Sequence, residues 1–288
     1  MTESRGTRAG HVAIAGVPNA GKSSLLNRLV GAHLAIVSPK VQTTRLPIVG
    51  LRTSGDIQLV LHDLPGLLEP RYALQERMRA AAEATLRQVD VVLHAHPAPE
   101  APAPDLWPLV GIDPPPVAPV LTVYTKSDLL PDATPRPEDQ ILVSARTGAG
   151  IEHLVSRIAA LVPEGPFQFA ADELGTQPVR FLAAEYVREA AFELLDEELP
   201  YSVAVEVEEF REGERPIYVR VTLLVERDSQ KGIVIGRGGE RLKSIGRQAR
   251  VRLEELLGEQ VFLDCWVKVL PNWRRQPDAL TRLGFPGG

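Results

Sequence analysis

The sequence predicts two domains: an α/β domain with a mostly parallel sheet flanked by helices, and a smaller α+β domain after it. Three observations support this fold class. Short apolar runs alternate with helical patterns along the first part of the chain. A segment rich in proline, glycine and acidic residues follows, and beyond it two alternating strand patterns lie among helical patterns. We place the first domain at residues 1–165, the linker at 166–177, and the second domain, with a C-terminal tail, at 178–288.

The first domain is predicted from five apolar runs and three helical patterns. We predict strands at 11–15, 57–62, 89–93, 120–124 and 140–143, and helices at 22–30, 74–88 and 151–161. Residues 94–119 contain nine prolines, which exclude a regular helix from most of this segment because proline lacks the backbone donor. We interpret His94 and His96 as a strand end with a solvated turn. The alternative, a metal pair, has no evident third ligand.

The second domain shows helical and strand periodicity in a definite order. Apolar residues from Leu182 to Leu194 mark one face of a helix. Alternation predicts strands at 203–208 and 217–225, each with one buried face. A helical piece, a glycine-rich loop, a helix at 240–257 and a strand at 261–269 follow in that order. The predicted order is α-β-β-α-α-β.

Composition limits the class of protein. Hydrophobic content is 44%, charged content is 24% and the formal net charge is −5, so nucleic-acid binding requires a local basic patch. The single cysteine, Cys265, cannot form an internal disulfide, which fits a reducing cytoplasm, and we expect it in the core. Residues 1–10 lack the apolar core of a signal peptide, and no apolar run is long enough to span a bilayer. We therefore expect a cytoplasmic protein.

Residues 16–23 fit the pattern G-x-x-x-x-G-K-[ST] between a predicted strand and a predicted helix. Glycines let the backbone amides wrap an anion, and the helix that follows adds its positive N-terminal end. Lys22 can reach the β and γ phosphates, and the Ser23 hydroxyl can bind Mg²⁺. The predicted phosphate-binding residues are Gly16, Val17, Pro18, Asn19, Ala20, Gly21, Lys22, Ser23 and Ser24.

Two further segments complete the predicted phosphate and metal site. Asp63 would hold Mg²⁺ through water and the Gly66 amide would sense the γ-phosphate. Thr44 is our first choice for a threonine that closes on Mg²⁺, and Thr43 is the second; a polar surface loop is the alternative. The predicted nucleotide contacts here are Asp63, Leu64, Pro65, Gly66 and Leu67. The predicted catalytic residues are Lys22, Thr44, Asp63 and Gly66, and the predicted metal ligands are Ser23, Thr44 and Asp63.

The predicted base site follows the strand at 120–124. Asp128 can accept two hydrogen bonds from the edge of guanine, and adenine lacks that donor pair, so the site favours GTP and GDP over ATP. Lys126 would lay its stem along the base. The full predicted set is Thr125, Lys126, Ser127 and Asp128, with Ser144, Ala145 and Arg146 supplying groups near the base.

The second domain carries a Gly-x-x-Gly loop at residues 236–239. Between residues 226 and 250 there are seven basic and three acidic residues, a net charge of +4 in a chain whose total is negative. The loop lets a nucleic-acid backbone approach closely, and the helix ends favour phosphate. The predicted RNA-binding residues are Lys231, Ile235, Gly236, Arg237, Gly238, Gly239, Arg241, Lys243 and Arg247.

These motifs together resemble one family. Gly-x-Pro-Asn-x-Gly-Lys-Ser at 16–23, Gln-Thr-Thr-Arg at 42–45, Asp-x-Pro-Gly at 63–66 and the later Gly-x-x-Gly are similar to the Era family of translation-associated GTPases. The resemblance implies a Ras-like P-loop GTPase domain, a type II KH domain and slow GTP hydrolysis. It also implies a monomer that binds the 3′ end of 16S rRNA during assembly of the 30S subunit, with loose contact to the inner membrane face. Asn19 would help to place K⁺.

The chain departs from the family at Thr125 and at Leu64, where threonine is common, while Leu67 has the hydrophobic character usual in the family. Thr125 stands where asparagine is usual, and because threonine is shorter we expect a weaker bridge to the phosphate loop. Leu67 stands where a Ras-type glutamine would orient the attacking water, which suggests low turnover. Two alternatives stay open: a nucleotide-sensing RNA-binding factor with little hydrolysis, and an unrelated P-loop ATPase with a KH-like appendage.

Overall fold

The computed structural model describes residues 6–67, 69–131 and 140–287. They form two compact units. The first contains the described residues up to Pro70 and those from Met78 to Thr176; the second contains Arg71–Arg77 and the described residues from Gln177 onward. Residues 1–5 lie outside the described ranges. They belong to the predicted first domain and to the segment 1–10, for which we predicted no signal peptide.

The first unit is built on a six-stranded sheet, as far as its described residues show. The strands are β1 (Arg8–Ala15), β2 (Ile48–Ser54), β3 (Ile57–Asp63), β4 (Val91–Pro97), β5 (Val120–Thr125) and β6 (Ile141–Leu142), in the order β2-β3-β1-β4-β5-β6. Among these strands, only β2 runs antiparallel to its neighbour. The carboxyl ends of β1, β3, β4 and β5 therefore lie at one edge, where ligands of such sheets bind.

Helices pack against this sheet through apolar side chains. They are α1 (Lys22–Val30), the part of α2 (Ala73–Leu86) from Met78 onward, α3 (Leu106–Val110) and α4 (Ile151–Ala159). In α4 the buried residues Ile151, Leu154, Val155 and Ile158 follow helical spacing. Helix α1 begins after Gly21 and ends before Gly31, and both glycines have positive φ, as glycine allows at helix ends. The α/β class predicted for this region is confirmed.

Strand β2 was missing from the prediction. Its register with β3 runs from Ile48 opposite Asp63 to Ser54 opposite Ile57. Gly50 interrupts its apolar pattern, and the reason is a close approach: a Cβ at this position would lie 2.5 Å from Cγ2 of Val30 in α1. Only a residue without a side chain lets the helix pack this closely on the strand.

The interpretation of His94 and His96 as a strand end is confirmed, but the solvated turn is wrong. Both lie within β4, which continues to Pro97, and their side chains are buried, with 1% and 7% of their surface exposed. His96 Nε2 lies 2.9 Å from the carbonyl oxygen of Glu100. The proline-rich segment then continues as a short 3-10 turn (Ala98–Glu100) and the five-residue helix α3.

The second unit is an α+β fold around a three-stranded sheet. Its elements are α5 (Val179–Leu194), α6 (Leu199–Ser202), β7 (Ala204–Arg211), β8 (Ile217–Val225), α7 (Asp228–Ile235), α8 (Glu240–Leu257), β9 (Val261–Val269) and α9 (Pro277–Arg282). The sheet order is β7-β8-β9, with β7 antiparallel and β9 parallel to β8. The predicted α-β-β-α-α-β order is confirmed; the short helices α6 and α9 were not predicted.

One face of this sheet and the helices α5 and α8 enclose the core. Val219, Val221 and Leu223 of β8 alternate with outward residues and are fully buried against Ile245 and Leu253 of α8, among others. Cys265 is partly buried beside this core, and burial raises the pKa of its thiol to about 12. Within the described ranges, no helix combines the length and apolar character needed to cross a membrane.

Candidate functional site

The phosphate-binding loop connects β1 to α1 and packs tightly against neighbouring strands. Gly16 has a φ of +145°, and a Cβ there would lie 2.4 Å from the carbonyl oxygen of Ala95 in β4. Gly21 has a φ of +84°, and a Cβ there would lie 3.3 Å from Oγ1 of Thr125 in β5. Both glycines are thus required by backbone conformation and by close approach, which explains the motif spacing.

Lys22 lies inside this loop. Its Nζ donates hydrogen bonds to the carbonyl oxygens of Gly16 (3.1 Å) and Val17 (2.9 Å). Burial lowers the pKa of Lys22 to about 8, against the opposing attraction of Asp63. A buried ammonium that donates to two neutral carbonyls and lies near a carboxylate is a strong site for an anion.

Three predicted metal ligands, from three different elements, meet beside Lys22. Ser23 Oγ lies 2.7 Å from Asp63 Oδ2 and 3.0 Å from Thr44 Oγ1, and Thr44 Oγ1 donates to the same Asp63 oxygen at 2.9 Å. Asp63 is fully buried, and its Oδ1 has no hydrogen-bond partner among the described residues. Burial raises the pKa of Asp63, while Lys22 and the two hydroxyl donors oppose that rise.

This set of oxygens fits a magnesium ion. Mg²⁺ takes hard oxygen ligands and is usually held by one or two protein groups together with phosphate and water. Two hydroxyls and one carboxylate, with a buried carboxylate oxygen that finds no donor in the described part of the chain, provide such ligands. A cation at this place would also offset the burial cost of the Asp63 charge.

A cavity of about 370 Å³ opens over the loop. It is lined by Pro18, Asn19, Gly21, Lys22, Ser23, Ser24, Ile36, Val37, Ser38, Pro39, Gln42, Thr43, Thr44, Gly66 and Lys126. Asn19 Nδ2 donates to the carbonyl oxygen of Pro39 at 2.9 Å, which joins the phosphate loop to the segment that carries Thr44. A Cβ at Gly66 would lie 3.0 Å from Cγ of Pro18, so the Gly66 backbone also lies against the phosphate loop.

A smaller cavity of about 140 Å³ lies where the base was predicted. It is lined by Gly21, Ser24, Leu25, Thr125, Lys126, Asp128, Val143, Ala145 and Arg146. Ser144 Oγ donates to Asp128 Oδ1 at 2.6 Å, and Arg146 Nη2 lies 2.7 Å from Asp128 Oδ2. The hydrogen bond from Ser144 is the largest of the causes that hold the pKa of Asp128 below its usual range. The carboxylate is therefore ionised and ready to accept N–H donors at neutral pH.

Thr125 makes a direct contact with the phosphate loop, and the expectation that it bridges more weakly than asparagine stays a prediction. Its Oγ1 donates to the carbonyl oxygen of Ala20 at 2.6 Å, a short hydrogen bond between buried groups, and it lies 3.3 Å from the carbonyl oxygen of His96. Threonine reaches the phosphate loop because Gly21 brings the backbone into contact with it. A side chain of this length suffices at such a short distance.

The predicted RNA-binding residues surround the turn between α7 and α8. Gly236, Gly238 and Gly239 have positive φ, and a Cβ at Gly238 or Gly239 would meet no atom within 4 Å. Arg237, Lys243 and Arg247 are exposed, Lys231, Ile235 and Arg241 are half-buried, and Arg241 Nη1 donates to the carbonyl oxygen of Ile233 at 2.9 Å. The turn thus presents open backbone beside several cationic side chains, an arrangement suited to phosphate.

Sequence reasoning missed some residues that line the site. Leu25 and Val143 line the base cavity, and Ile36 and Val37 line the phosphate cavity, yet no motif contains them. The Pro39 carbonyl that binds Asn19 is a backbone group, so its role cannot be found from residue type. These contacts depend on the fold that brings the segments together.

The fold and the site define a class: a P-loop GTPase of the Ras-like type joined to a KH domain. Residues 11–118 match the family model described as 50S ribosome-binding GTPase, and residues 198–274 match the model described as KH domain. The GTPase Era of Mycobacterium tuberculosis is 41% identical over 96% of this chain and 98% of its own length. That of Carboxydothermus hydrogenoformans is 39% identical over the same shares. The chain belongs to the Era family of GTPases.

Solved structures agree with this assignment. A single-residue variant of Aquifex aeolicus Era bound to GDP.AlF4- is 36% identical with a TM-score of 0.91, covering 98% of this chain and 100% of that one. Era in complex with MgGDPNP and nucleotides 1506–1542 of 16S ribosomal RNA is also 36% identical, with a TM-score of 0.90 and the same coverage.

Proposed function

We propose that this protein is a GTP-binding switch that hydrolyses GTP slowly, binds the 3′ end of 16S rRNA through its KH domain, and assists assembly of the 30S subunit. The convergence of Ser23, Thr44 and Asp63 beside the buried Lys22 carries the nucleotide part of this proposal. Relatives that cover nearly the whole chain, one of them solved with MgGDPNP and this RNA, support the rest.

The residues of the site have distinct roles in the proposed reaction. Lys22 and the amides of the phosphate loop hold the β and γ phosphates. Ser23, Thr44 and Asp63 would hold Mg²⁺, which would supply positive charge beside the phosphates. Thr44 belongs to a loop and donates a hydrogen bond to Asp63 at the end of β3. Binding of the triphosphate beside these two residues would therefore favour the closed position of the loop.

Leu67 explains why hydrolysis is slow. Its side chain is apolar and buried, so it cannot orient an attacking water. Asn19 is proposed to place K⁺ beside the phosphates, which would compensate for the missing glutamine. The proposed small ligands are GTP, GDP, Mg²⁺ and K⁺. We further propose a cytoplasmic monomer with loose contact at the inner membrane face.

Single-turnover cleavage of GTP tests the enzymatic part. We expect slow cleavage in K⁺, slower cleavage in Na⁺, no cleavage by Lys22→Ala, and faster cleavage with an oligonucleotide of the 16S rRNA 3′ end. Rates that do not distinguish K⁺ from Na⁺ would remove the role of K⁺.

A second candidate, a nucleotide sensor that scarcely hydrolyses, is favoured by the buried Leu67 alone. Absence of cleavage with and without RNA, together with tight GTP binding, would select it. Equal affinity for GTP and ATP would contradict both candidates, because Asp128 would then make no choice of purine.

RNA captured from cells under GTP and under GDP, followed by sequencing, tests the RNA part. We expect fragments of the 16S rRNA 3′ end, and a difference between the two nucleotide states. Recovery of RNA without enrichment of that end would contradict the proposed partner.

A further inference from the structure

The side chain of Arg146 contacts the carboxylate that lines the base cavity. Arg146 lies in the loop after β6, and its Nη2 is 2.7 Å from Oδ2 of Asp128. The other carboxylate oxygen, Oδ1, accepts the 2.6 Å hydrogen bond from Ser144 Oγ. Each oxygen of Asp128 is therefore held by a different donor, and both donors belong to one short loop.

That loop is itself held by a network of hydrogen bonds. The Ser144 amide donates to the Ala149 carbonyl oxygen at 3.0 Å, and the Gly148 amide donates to the Ser144 carbonyl oxygen at 2.8 Å. The Thr147 amide donates to Ser144 Oγ at 3.1 Å. The backbone on either side of Arg146 is thus anchored, so its side chain starts from a defined position although it is 71% exposed.

The two donors leave room for a ligand. A carboxylate has about four acceptor positions, two on each oxygen; Ser144 and Arg146 take one on each, and the Asp128 backbone adds a further hydrogen bond. The carboxylate therefore keeps acceptor capacity for a ligand. The edge of guanine presents two N–H donors side by side, a ring N–H and an exocyclic amine, which match two acceptors in one plane.

We propose that Arg146 is a positioning residue for guanine recognition: it holds Oδ2 of Asp128 while Ser144 holds Oδ1, and together they fix the plane of the carboxylate. The inference rests on the proposed binding of guanine nucleotides. A ligand that uses both oxygens gains more from this arrangement than a ligand that uses one. Hypoxanthine lacks the exocyclic amine, so inosine nucleotides offer one donor where guanosine nucleotides offer two.

Calorimetric titration of GDP and IDP into the full-length protein tests the proposal. The variants are Arg146→Ala, Arg146→Lys, which keeps the charge without the planar fork, and Arg157→Ala, a control that removes an exposed arginine outside the base cavity. We expect Arg146→Ala to weaken GDP binding about two- to fivefold, as for an ion pair whose cation is mostly in solvent. IDP binding should change less, so the preference for GDP falls, and Arg146→Lys should recover part of it.

Two results would overturn the proposal. An unchanged ratio of GDP to IDP affinity in Arg146→Ala, whether both affinities stay the same or both fall equally, would mean that Arg146 does not position the carboxylate. A wild-type protein that binds neither nucleotide would refute the proposed function itself, and the inference with it. The two failures are distinguishable because the second appears in the wild type.

Discussion

Replacing Thr125 with valine removes one hydroxyl and keeps the branched shape of the side chain. In the structure this hydroxyl donates to the Ala20 carbonyl oxygen at 2.6 Å, and both residues are buried. The substitution leaves a buried carbonyl without its donor, which costs about 1–3 kcal/mol. We expect the free energy of unfolding of the first unit to fall by that amount. GDP should also dissociate faster, because the phosphate loop loses its tie to β5.

Urea denaturation of the nucleotide-free protein measures this loss. Thr85→Val is a matched control, since Thr85 Oγ1 donates to the Ala81 carbonyl oxygen of its own helix α2 at 2.9 Å. If the free energies of unfolding of Thr125→Val and Thr85→Val lay within about 0.5 kcal/mol of each other, the range of ordinary surface changes, the Thr125 hydroxyl would not stabilise the phosphate loop. An unchanged GDP dissociation rate would lead to the same conclusion.

Three further predictions concern the charged groups and the glycine turn. Lys22 has a folded-state pKa of about 8 against an ordinary value of 10.5, so the unfolded chain binds more protons between these pH values. The free energy of unfolding should therefore rise from pH 8 toward pH 10.5, by up to about 3 kcal/mol, and Lys22→Met should abolish the rise in a urea series. Asp128→Asn should shift preference from guanine toward xanthine nucleotides in competition assays, because the amide donates where the carboxylate accepts. Gly238→Asp should weaken RNA binding at least tenfold (about 1.4 kcal/mol) and leave GDP binding unchanged, since it adds an anion and an L side chain at a φ of +59°.

Each of these has a result that would contradict it. If the free energy of unfolding still rose with pH in the Lys22→Met variant, another titrating group would be responsible for the rise. If the Asp128→Asn variant still excluded xanthine nucleotides, a residue other than Asp128 would recognise the base. Gly213→Asp adds the same charge in a loop of the second unit where a Cβ meets no atom within 4 Å. If it weakened RNA binding as much as Gly238→Asp over several salt concentrations, the effect would be general repulsion.

The predictions failed where a polar or small residue has a partner distant in sequence. Gly50 interrupts the apolar pattern of β2. The glycine is needed because Val30 of α1 packs closely against it. His94 and His96 suggested solvent, yet β4 continues through them because it pairs with β5 as far as Pro97 opposite Thr125. In both cases the decisive neighbour lies on another element, and local pattern carries no information about it.

The amino-acid sequence alone predicted two domains of the α/β and α+β classes, the phosphate loop, the guanine motif and the glycine turn, but not the boundary, since residues up to Thr176, most of the predicted linker, belong to the first unit. These features depend on residue type and spacing along one stretch of chain, since a tight loop needs glycine and a buried face needs periodic apolar residues. Only the tertiary structure decided that Ser23, Thr44 and Asp63 meet, that Thr125 reaches Ala20, and that Arg146 holds Asp128. Such contacts join segments far apart in sequence, and their distances follow from packing of the whole domain.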